Sequence, residues 1–389
     1  MNKEEKLHLI NEIFTPSAPI ENINLFSGRD IQLKSIKETI LEKGQHAVMY
    51  GNRGVGKTSL SNMVSFMFED IITIKVTCNR NDDFKTIWER ALKKVKFGYP
   101  IKQVGYKAEE KMEVFPIQVP DLEQISPTEI ENTLFNINEN MVFIFDEFDI
   151  IKNPKIKAQM ADIIKLLSDN LPFITIILVG IAESVEDLFG QHPSVERCIK
   201  QIELPLMGNK EAKKILNRNL KLLSLKIDDE ISEKIIELSS GFPNYVHLLC
   251  KYSSEKAVSE NKTKINIEHF NYAVKRSIDN SDHSIKKSYS IATKSSTKTN
   301  RFANVLLACA LANTDEYNSF SSVEVIEKYN KITGELNKTE SLNYNLGMLC
   351  KKERAEILSK EGKQKSRYKF RKPLLKAFIK LKQHDFTVK

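Results

Sequence analysis

The sequence predicts an α/β fold with a mainly parallel sheet, followed by a helical domain and a small C-terminal domain. Three observations support this. Five short apolar runs alternate with helical patterns up to about residue 207, and the next seventy or so residues show helical periodicity only. The last ninety or so residues hold three helical patterns and then a hairpin signal, which is typical of a winged helix.

The predicted strands are short and apolar. They are assigned to residues 47–50, 71–76, 141–146, 173–179 and 202–206. The longest mainly apolar run covers only residues 173–182, whereas a membrane-spanning helix needs roughly 18 to 20 apolar residues. We therefore interpret this run as a buried strand and expect no membrane segment.

The cysteines and the first residues of the chain indicate the cellular compartment. The five cysteines are scattered without C-x-x-C spacing, and the N-terminus lacks the apolar stretch of a signal peptide. We therefore expect a cytoplasmic protein without a structural zinc ion or a disulfide framework.

The positive charge is concentrated at the end of the chain. Residues 351–389 contain 14 Lys and Arg against 4 Asp and Glu, so this segment has a balance of +10 although the whole chain has only +8. The remainder is slightly acidic. A partner with negative charge is therefore expected at the C-terminal domain alone.

A glycine-rich loop follows the first predicted strand and leads into a helix. It reads Gly51-Asn52-Arg53-Gly54-Val55-Gly56-Lys57-Thr58-Ser59, and the next apolar residues are spaced as on one face of a helix. Such a loop turns its backbone N–H groups inward as a nest for phosphate oxygens. Lys57 can reach the β- and γ-phosphates of ATP, and the Thr58 hydroxyl can hold Mg²⁺. The alternative is a glycine loop without a ligand.

Two carboxylates end the predicted strand at residues 141–146. Asp146 can hold Mg²⁺ through water, and Glu147 can polarise the attacking water, if this strand lies near the phosphate loop. The alternative is a solvated acidic strand end.

Four segments of the chain are predicted as domains. Residues 1–207 form the P-loop core with an N-terminal arm that lies against a later domain, 208–280 a helical lid, 281–300 a linker or hinge, and 301–389 the winged helix. Residues 97–140 have four prolines and weak periodicity, so they are either a surface insertion or a functional loop.

The segment Leu25-Phe26-Ser27-Gly28-Arg29-Asp30, the P-loop and the Asp-Glu strand together resemble AAA+ and STAND ATPases, nearest to the branch of origin-recognition initiators. The resemblance covers roughly residues 20–280 and, more loosely, the winged helix. It implies that Gly28 and Arg29 lie beside the adenine. It also implies a γ-phosphate sensor after residue 180, where this chain has Glu183 or Ser184 instead of the usual Asn or Thr.

Two further residues follow from the same resemblance. Arg197 stands where these ATPases place an arginine directed at a neighbour's ATP, although an arginine paired with a local Glu on a helix surface is an equal alternative. Gly241-Phe242-Pro243 resembles the G-x-P motif of STAND proteins, in which the proline contacts the base region. The lid arginine of initiators is missing, which favours a nucleotide-dependent switch over a constitutive motor.

The predicted hairpin of the winged helix carries most of the basic charge. Its expected nucleic-acid contacts are Lys363, Lys365, Arg367, Lys369, Arg371 and Lys372. Because these alternate with Tyr368 and Phe370, one strand face is predicted to be cationic and the other packed. A solvated charged face and a protein-binding face are the alternatives.

Two functions remain open from the sequence. The first is an ATP-hydrolysing AAA+ switch that forms ATP-dependent homo-oligomers and binds double-stranded DNA through its winged helix. The second is a STAND-type signalling ATPase, for instance in antiviral defence, whose C-terminal domain binds a protein trigger or effector.

Overall fold

The computed structural model describes residues 2–68, 70–102, 110–116, 125–137, 139–182, 193–294, 300–315, 318–361 and 367–388. Its residues cluster into two compact units. We call Pro19–Asn52 with Gly56–Pro205 the P-loop unit, and Met1–Ala18, Arg53–Val55 and Leu206–Lys389 the helical unit.

The helices of these residues are α1 (Lys3–Ile13), α2 (Asp30–Leu41), α3 (Lys57–Met63), α4 (Phe84–Leu92), α5 (Pro127–Ile137), α6 (Pro154–Asn170), α7 (Asn209–Leu222), α8 (Asp229–Ser239), α9 (Pro243–Ser259), α10 (Ile267–Asp279), α11 (His283–Thr293), α12 (Arg301–Leu311), α13 (Ser322–Thr333), α14 (Glu340–Leu349) and α15 (Leu374–Val388). The strands are β1 (His46–Tyr50), β2 (Ile72–Thr77), β3 (Lys96–Lys102), β4 (Glu110–Pro116), β5 (Met141–Asp146), β6 (Ile174–Gly180), β7 (Ile199–Glu203), β8 (Lys226–Ile227), β9 (Lys264–Ile265), β10 (Phe320–Ser321), β11 (Leu358–Glu361) and β12 (Arg367–Phe370).

The P-loop unit is built on a five-stranded sheet in the order β2-β5-β6-β1-β7, and every adjacent pair is parallel. Strands β5 and β6 are buried along their whole length, as expected where helices cover both faces of a parallel sheet. This order places β6 between the strand that precedes the glycine-rich loop and the strand that ends in Asp146. The predicted α/β fold is confirmed.

Trp88 is the centre of the apolar core on one face of this sheet. Its ring lies 5.2 Å from the rings of both Phe143 and Phe145 on β5, and all three side chains are fully buried. The amphipathic pattern of α4, which Asp83 caps through the backbone N–H of Thr86, directs Trp88 at the sheet.

Two segments of the P-loop unit differ from the sequence prediction. Strand β7 runs over Ile199–Glu203 instead of 202–206, because it is an edge strand in which only Ile202 is buried, so its sequence is mostly polar. The segment 97–140 also contains regular elements, namely the antiparallel pair β3–β4 and helix α5 with Pro127 as its first residue. A proline at that position is compatible with a helix.

The N-terminal helix α1 belongs to the helical unit, not to the P-loop core in which the sequence analysis included it. It starts with a capping box between Asn2 and Glu5. Its end is buried, and the ring of Phe14 lies 5.9 Å from that of His247 on α9 in an edge-to-face arrangement. The arm therefore packs against a later domain, as its sequence led us to expect.

The C-terminal part of the helical unit contains helices α12, α13 and α14 and an antiparallel sheet in the order β10-β12-β11. This is the predicted winged helix. Helix α15 then packs on the lid helices, because His384 bonds to Asn271 on α10 at 3.0 Å and Lys380 bonds to the Glu237 carbonyl on α8.

The predicted linker at 281–300 is largely helix α11, whose first turn is capped by Asp282. Arg354 donates to the Ala292 carbonyl at its end, at 3.0 Å, so this helix is fixed to the winged helix. Among the described residues, no helix is long and apolar enough to cross a membrane.

Candidate functional site

The glycine-rich loop has the backbone geometry that a phosphate cradle requires. Gly51 and Gly56 have φ values of +148° and +98°, which residues with a Cβ rarely adopt. A Cβ on Gly51 would also lie 2.4 Å from the Leu204 carbonyl oxygen, so that position accepts only glycine. Helix α3 begins at Lys57 directly after Gly56. Its unpaired N–H groups therefore belong to the cradle.

Lys57 is the buried cation of the loop. Its ammonium donates to the carbonyl oxygens of Gly51 and Asn52, each at 2.9 Å, and only 9% of the residue is exposed. Burial lowers its pKa to about 8, while the nearby carboxylates of Asp149, Asp146 and Glu147 favour the charged form. A phosphate ligand would replace the two carbonyl oxygens as a stronger partner.

Asp146 is held by a second lysine that the sequence analysis missed. Its Oδ2 lies 3.0 Å from Lys75 Nζ, and the carboxylate is almost fully buried. Lys75 also donates to Ser61 Oγ at 2.8 Å and to Asn62 Oδ1 at 2.6 Å. Strands β2 and β5 are adjacent, and Lys75 lies opposite Ile144 in their register, so pairing of these strands brings the two charges together.

The residues near Asp146 fit a hydrated Mg²⁺ ion. Asp146 and Thr58 supply a carboxylate and a hydroxyl oxygen, the donors that Mg²⁺ prefers, and Mg²⁺ bound with nucleotide usually needs only one or two protein groups. The described residues contain no group of three or more acidic, His or Cys side chains that could hold a metal alone. Any Mg²⁺ would therefore be shared with phosphate oxygens.

Glu147 is placed differently from its neighbour. It follows β5 with a left-handed backbone (φ +57°), its N–H donates to Asp146 Oδ1 at 2.9 Å, and the residue is exposed. A non-glycine residue in this region is strained, and such strain is common at functional sites. The turn separates the two carboxylates, so Asp146 is buried while Glu147 is available to solvent water.

Asp149 is a third carboxylate of the site that sequence reasoning did not select. Its Oδ1 accepts the backbone N–H of Ile181, the residue directly after β6, at 2.8 Å, and its charge favours the protonated form of Lys57. Its position three residues after Asp146 was the available signal. The predicted γ-phosphate sensors, Glu183 and Ser184, lie outside the described residues.

Arg29 and Gly28 form a left-handed turn before α2, with φ values of +63° and +83°. The Arg29 side chain is buried and donates to the Pro205 carbonyl at 2.8 Å. This bond ties the start of α2 to the residues after β7. The predicted contact of these two residues with adenine stays a prediction.

The rest of the loop is divided between buried and exposed positions. Ser59 Oγ accepts the backbone N–H of Ile20 at 3.1 Å, Val55 is fully buried and Arg53 is exposed.

In the helical unit, Pro243 is the first residue of α9, after the left-handed residues Ser240 and Gly241.

Arg197 lies on the surface of the P-loop unit. Its side chain is 70% exposed and its Nη2 lies 2.6 Å from Asp169 Oδ1 at the end of α6. An exposed pair of this kind contributes about 0–1 kcal/mol, so the guanidinium can leave Asp169 at little cost. The partner is an aspartate from another helix and not the adjacent Glu196.

The cationic strand face predicted for the winged helix is not present on β12. Arg367 donates to Ser319 Oγ at 2.7 Å and lies 2.8 Å from Asp315, and Lys369 is buried. The reason is that the residues just before β10, the strand that pairs with β12 on one side, supply acceptors for Arg367, so this side chain is bonded within the fold. Lys363 and Lys365 lie outside the described residues.

The next two basic residues of the wing also have partners. Arg371 lies 3.6 Å from Glu356, and Lys372 Nζ donates to Ser288 Oγ at 3.2 Å. The two side chains thus help to fix the end of the wing, while the residues themselves stay exposed.

The chain is similar in fold to proteins of known structure. No protein-family model matches the chain, and no curated protein matches it in sequence. The chain is similar in structure to the Walker-type ATPase PABY2304 of Pyrococcus abyssi, with 16% identity, coverage of 94% of this chain and 99% of that chain, and a TM-score of 0.54. It is also similar to Cdc6p from Pyrobaculum aerophilum, with 14% identity, coverage of 96% and 98%, and a TM-score of 0.50.

A third solved structure, the ORC1 protein of Aeropyrum pernix in complex with DNA, shares 15% identity over 97% of both chains at a TM-score of 0.47. Together with the strand order and the C-terminal domain of three helices and an antiparallel sheet, the two similarities of higher score show that the chain has the fold of these two proteins. The fold that the sequence predicted is confirmed.

Proposed function

We propose that this chain binds and hydrolyses ATP and acts as a nucleotide-dependent switch that associates with double-stranded DNA. The observation that carries the ATPase part is the buried Lys57 at the glycine cradle, with Asp146, Glu147 and Asp149 close enough to act on its charge. These are the groups that phosphoryl transfer needs for positioning and charge stabilisation.

Each residue has a distinct role in this proposal. The N–H groups of the loop and of the first turn of α3 hold the phosphates, and Lys57 neutralises the β- and γ-phosphate oxygens. Thr58 and Asp146 would hold Mg²⁺, which neutralises charge on the transferred phosphoryl group. Glu147, exposed beside the buried Asp146, orients the attacking water and accepts its proton.

Phosphate release tests the ATPase assignment. The parent chain should release phosphate from ATP with Mg²⁺, and Lys57→Ala should lose nucleotide binding. Glu147→Gln should bind ATP with parental affinity and hydrolyse it at least a hundredfold more slowly, because general-base catalysis contributes about 10²–10⁴. Parental turnover by Glu147→Gln would refute the role of this carboxylate.

Oligomerisation in the presence of ATP is part of the same proposal. Arg197 is exposed, and its pair with Asp169 costs little to break, so the guanidinium can reach the ATP of a neighbouring subunit. Sedimentation of the parent with and without ATP should show nucleotide-dependent association. If the parent stayed a monomer and its specific ATPase activity did not depend on protein concentration, Arg197 would have no role at the ATP of a neighbouring subunit.

The DNA part of the proposal depends on the basic wing. Because Arg367, Arg371 and Lys372 have protein partners, we assign the phosphate contacts first to the two remaining predicted contacts that lie outside the described residues, Lys363 and Lys365. Each phosphate contact should contribute a slope of about −0.9 in a plot of log K against log salt. Such contacts position the protein without specifying sequence.

Two double variants of the full chain separate these residues. Lys363→Gln with Lys365→Gln should reduce the salt slope by about two, whereas the matched pair Arg371→Gln with Lys372→Gln should change it little. The full chain is required, because α15 packs on the lid and a fragment of residues 300–389 would lose that contact. Absence of duplex binding at low salt, with and without ATP, would refute the DNA proposal.

One observation favours a protein partner as the second candidate. Helix α14, which follows α13 in the winged helix, contains no Lys or Arg and exposes 71% of Tyr344, and the nearby Leu336 is fully exposed. Exposed aromatic and apolar residues are typical of protein contacts. If DNA binding fails, a STAND-type signalling switch whose winged helix binds a protein becomes the better proposal.

A further inference from the structure

A charged cavity lies within the helical unit, between the lid helices and the C-terminal helix. It has a volume of about 660 Å³, within the range of roughly 300–1,000 Å³ of small-molecule sites. The charged residues that line it are Lys210, Lys213, Glu233, Glu237, Lys376 and Lys380. With four lysines against two glutamates, the lining has an excess of positive charge.

Lys376 and Lys380 give the cavity its unusual character. They are one turn apart on the same face of α15, and both are largely removed from water. Burial, with a smaller effect of the neighbouring Lys380, lowers the pKa of Lys376 to about 8. Like charges at this spacing destabilise a helix, and burial adds to that cost.

These four lysines differ in how far other groups already bind them. Lys380 donates to the Glu237 carbonyl at 3.3 Å, where it caps α8, and Lys213 lies 3.5 Å from Asp229. Lys376 has no carboxylate partner among the described residues. Lys210 is exposed on the first turn of α7, whose N-terminal end also favours an anion.

The neutral part of the lining supplies an additional donor. Ser240 ends α8 in a left-handed conformation, and its Oγ is buried without a hydrogen-bond partner among the described residues. A buried hydroxyl without a partner is unfavourable, because it has lost its hydrogen bonds to water. An oxygen-rich ligand in the cavity would accept this hydrogen bond.

We propose that this cavity binds a small molecule that carries at least two phosphate groups, with Lys376, Lys210 and Ser240 as its principal contacts. The oxygens of several phosphate groups match the several lysines that line the cavity, whereas a single carboxylate would leave most of these lysines without a partner. Both a nucleotide and inorganic polyphosphate have this chemistry. Because the lining residues of the cavity include none from the glycine-rich loop, this site is additional to the glycine cradle of the P-loop.

Calorimetric titration of the full chain with tripolyphosphate tests the proposal. Lys57→Ala serves as the background, because it removes phosphate binding at the P-loop. In that background we expect one remaining site, which Lys376→Gln weakens at least tenfold and Lys376→Arg retains. Lys382→Gln is the matched control, because it removes the same charge from the same helix outside the cavity. A parallel titration with ATP distinguishes a nucleotide from inorganic polyphosphate as the ligand. If ATP binds more tightly than tripolyphosphate, the cavity recognises a nucleotide. If the two bind equally, it recognises the phosphate groups alone.

Proton uptake gives a second measurement that does not depend on the size of the affinity loss. A bound anion raises the pKa of Lys376, so binding at pH 8 should take up roughly half a proton. This uptake is measured as a dependence of the binding enthalpy on the ionisation enthalpy of the buffer. The uptake should disappear in Lys376→Gln and persist in Lys382→Gln. Absence of binding in the Lys57→Ala background, or equal losses in Lys376→Gln and Lys382→Gln, would refute the proposal. Neither result affects the ATPase assignment, which the phosphate-release assay tests by itself.

Discussion

Removal of either lysine from the P-loop site should change protein stability, and in opposite directions. Lys57 is buried and bonded only to carbonyl oxygens, whereas Lys75 is paired with the buried carboxylate of Asp146. Lys57→Met and Lys75→Met remove the same charge and keep a similar shape. We expect the first variant to be more stable than the parent without nucleotide, and the second to be less stable.

The magnitude for Lys57 follows from its pKa. A fall from 10.5 to about 8 means that the charged form costs about 3 kcal/mol at pH 7. Methionine removes this cost but loses two hydrogen bonds to backbone carbonyls, each worth about 1 kcal/mol net. The expected gain is about 1 kcal/mol, or a rise in Tm of about 2–4 °C for a unit of this size.

Lys75→Met leaves Asp146 buried without its cation. Breaking a buried pair costs about 3–5 kcal/mol, and we expect the lower end because the Lys75 side chain is 24% exposed. Nucleotide should raise the Tm of the parent but not that of Lys57→Met, so the same experiment separates stability from ligand binding.

Trp88 is a suitable probe, because it is the only tryptophan and lies in the core of the P-loop unit. Its fluorescence during urea unfolding reports on this unit.

The pH dependence of the parent's stability supplies a further test. The folded-state pKa of Lys57 is lowered, so the unfolded state binds more protons between about pH 8 and 10.5. The parent's stability should therefore gain a contribution from Lys57 as pH rises through this window, and Lys57→Met should lack it. A loss of more than 1 kcal/mol in Lys57→Met would contradict the reasoning.

Three further predictions concern other residues. Glu147→Gln should trap ATP on the protein, which is checked by nucleotide recovered after gel filtration. Arg197→Ala should bind ATP normally and hydrolyse it about 10³-fold more slowly at every protein concentration, because an arginine supplied to a neighbour's ATP has effects of this size. Arg367→Gln should lower the thermal stability seen by circular dichroism without changing the salt slope of DNA binding, since Arg367 bonds to Ser319 and Asp315; a reduced slope with unchanged stability would contradict this.

The parts of the site that the sequence predicts are contiguous in the chain. The P-loop and the Asp-Glu pair each lie where a strand meets the next element, so apolar patterns on either side locate them. Lys75 could not be recognised in this way. It lies in the middle of β2, and only the register of β2 with β5 brings it to Asp146.

Tertiary contacts also account for the wrong prediction of a cationic face in the winged helix. Alternation of charged and aromatic residues along β12 predicts one cationic face, but it does not reveal that the segment before β10 supplies acceptors for Arg367. Pairing with β10 places Arg367 opposite Ser321, close to Asp315 and Glu324. A period of two identifies the two faces of a strand, and tertiary contacts decide which of them meets water.

The charge balance of the P-loop unit bears on why the proposed switch would require a second subunit. The described side chains in this site include two lysines, Lys57 and Lys75, and three carboxylates, Asp146, Glu147 and Asp149. A nucleoside triphosphate adds further negative charge, which a single divalent cation only partly neutralises, and more develops on the phosphoryl group in the transition state. Of these two lysines, Lys75 is already bonded to Asp146, and Lys57 is the one left for the phosphates. An exposed arginine that can leave a weak surface pair, such as Arg197 of a neighbouring subunit, would supply the missing positive charge, and hydrolysis would then depend on assembly.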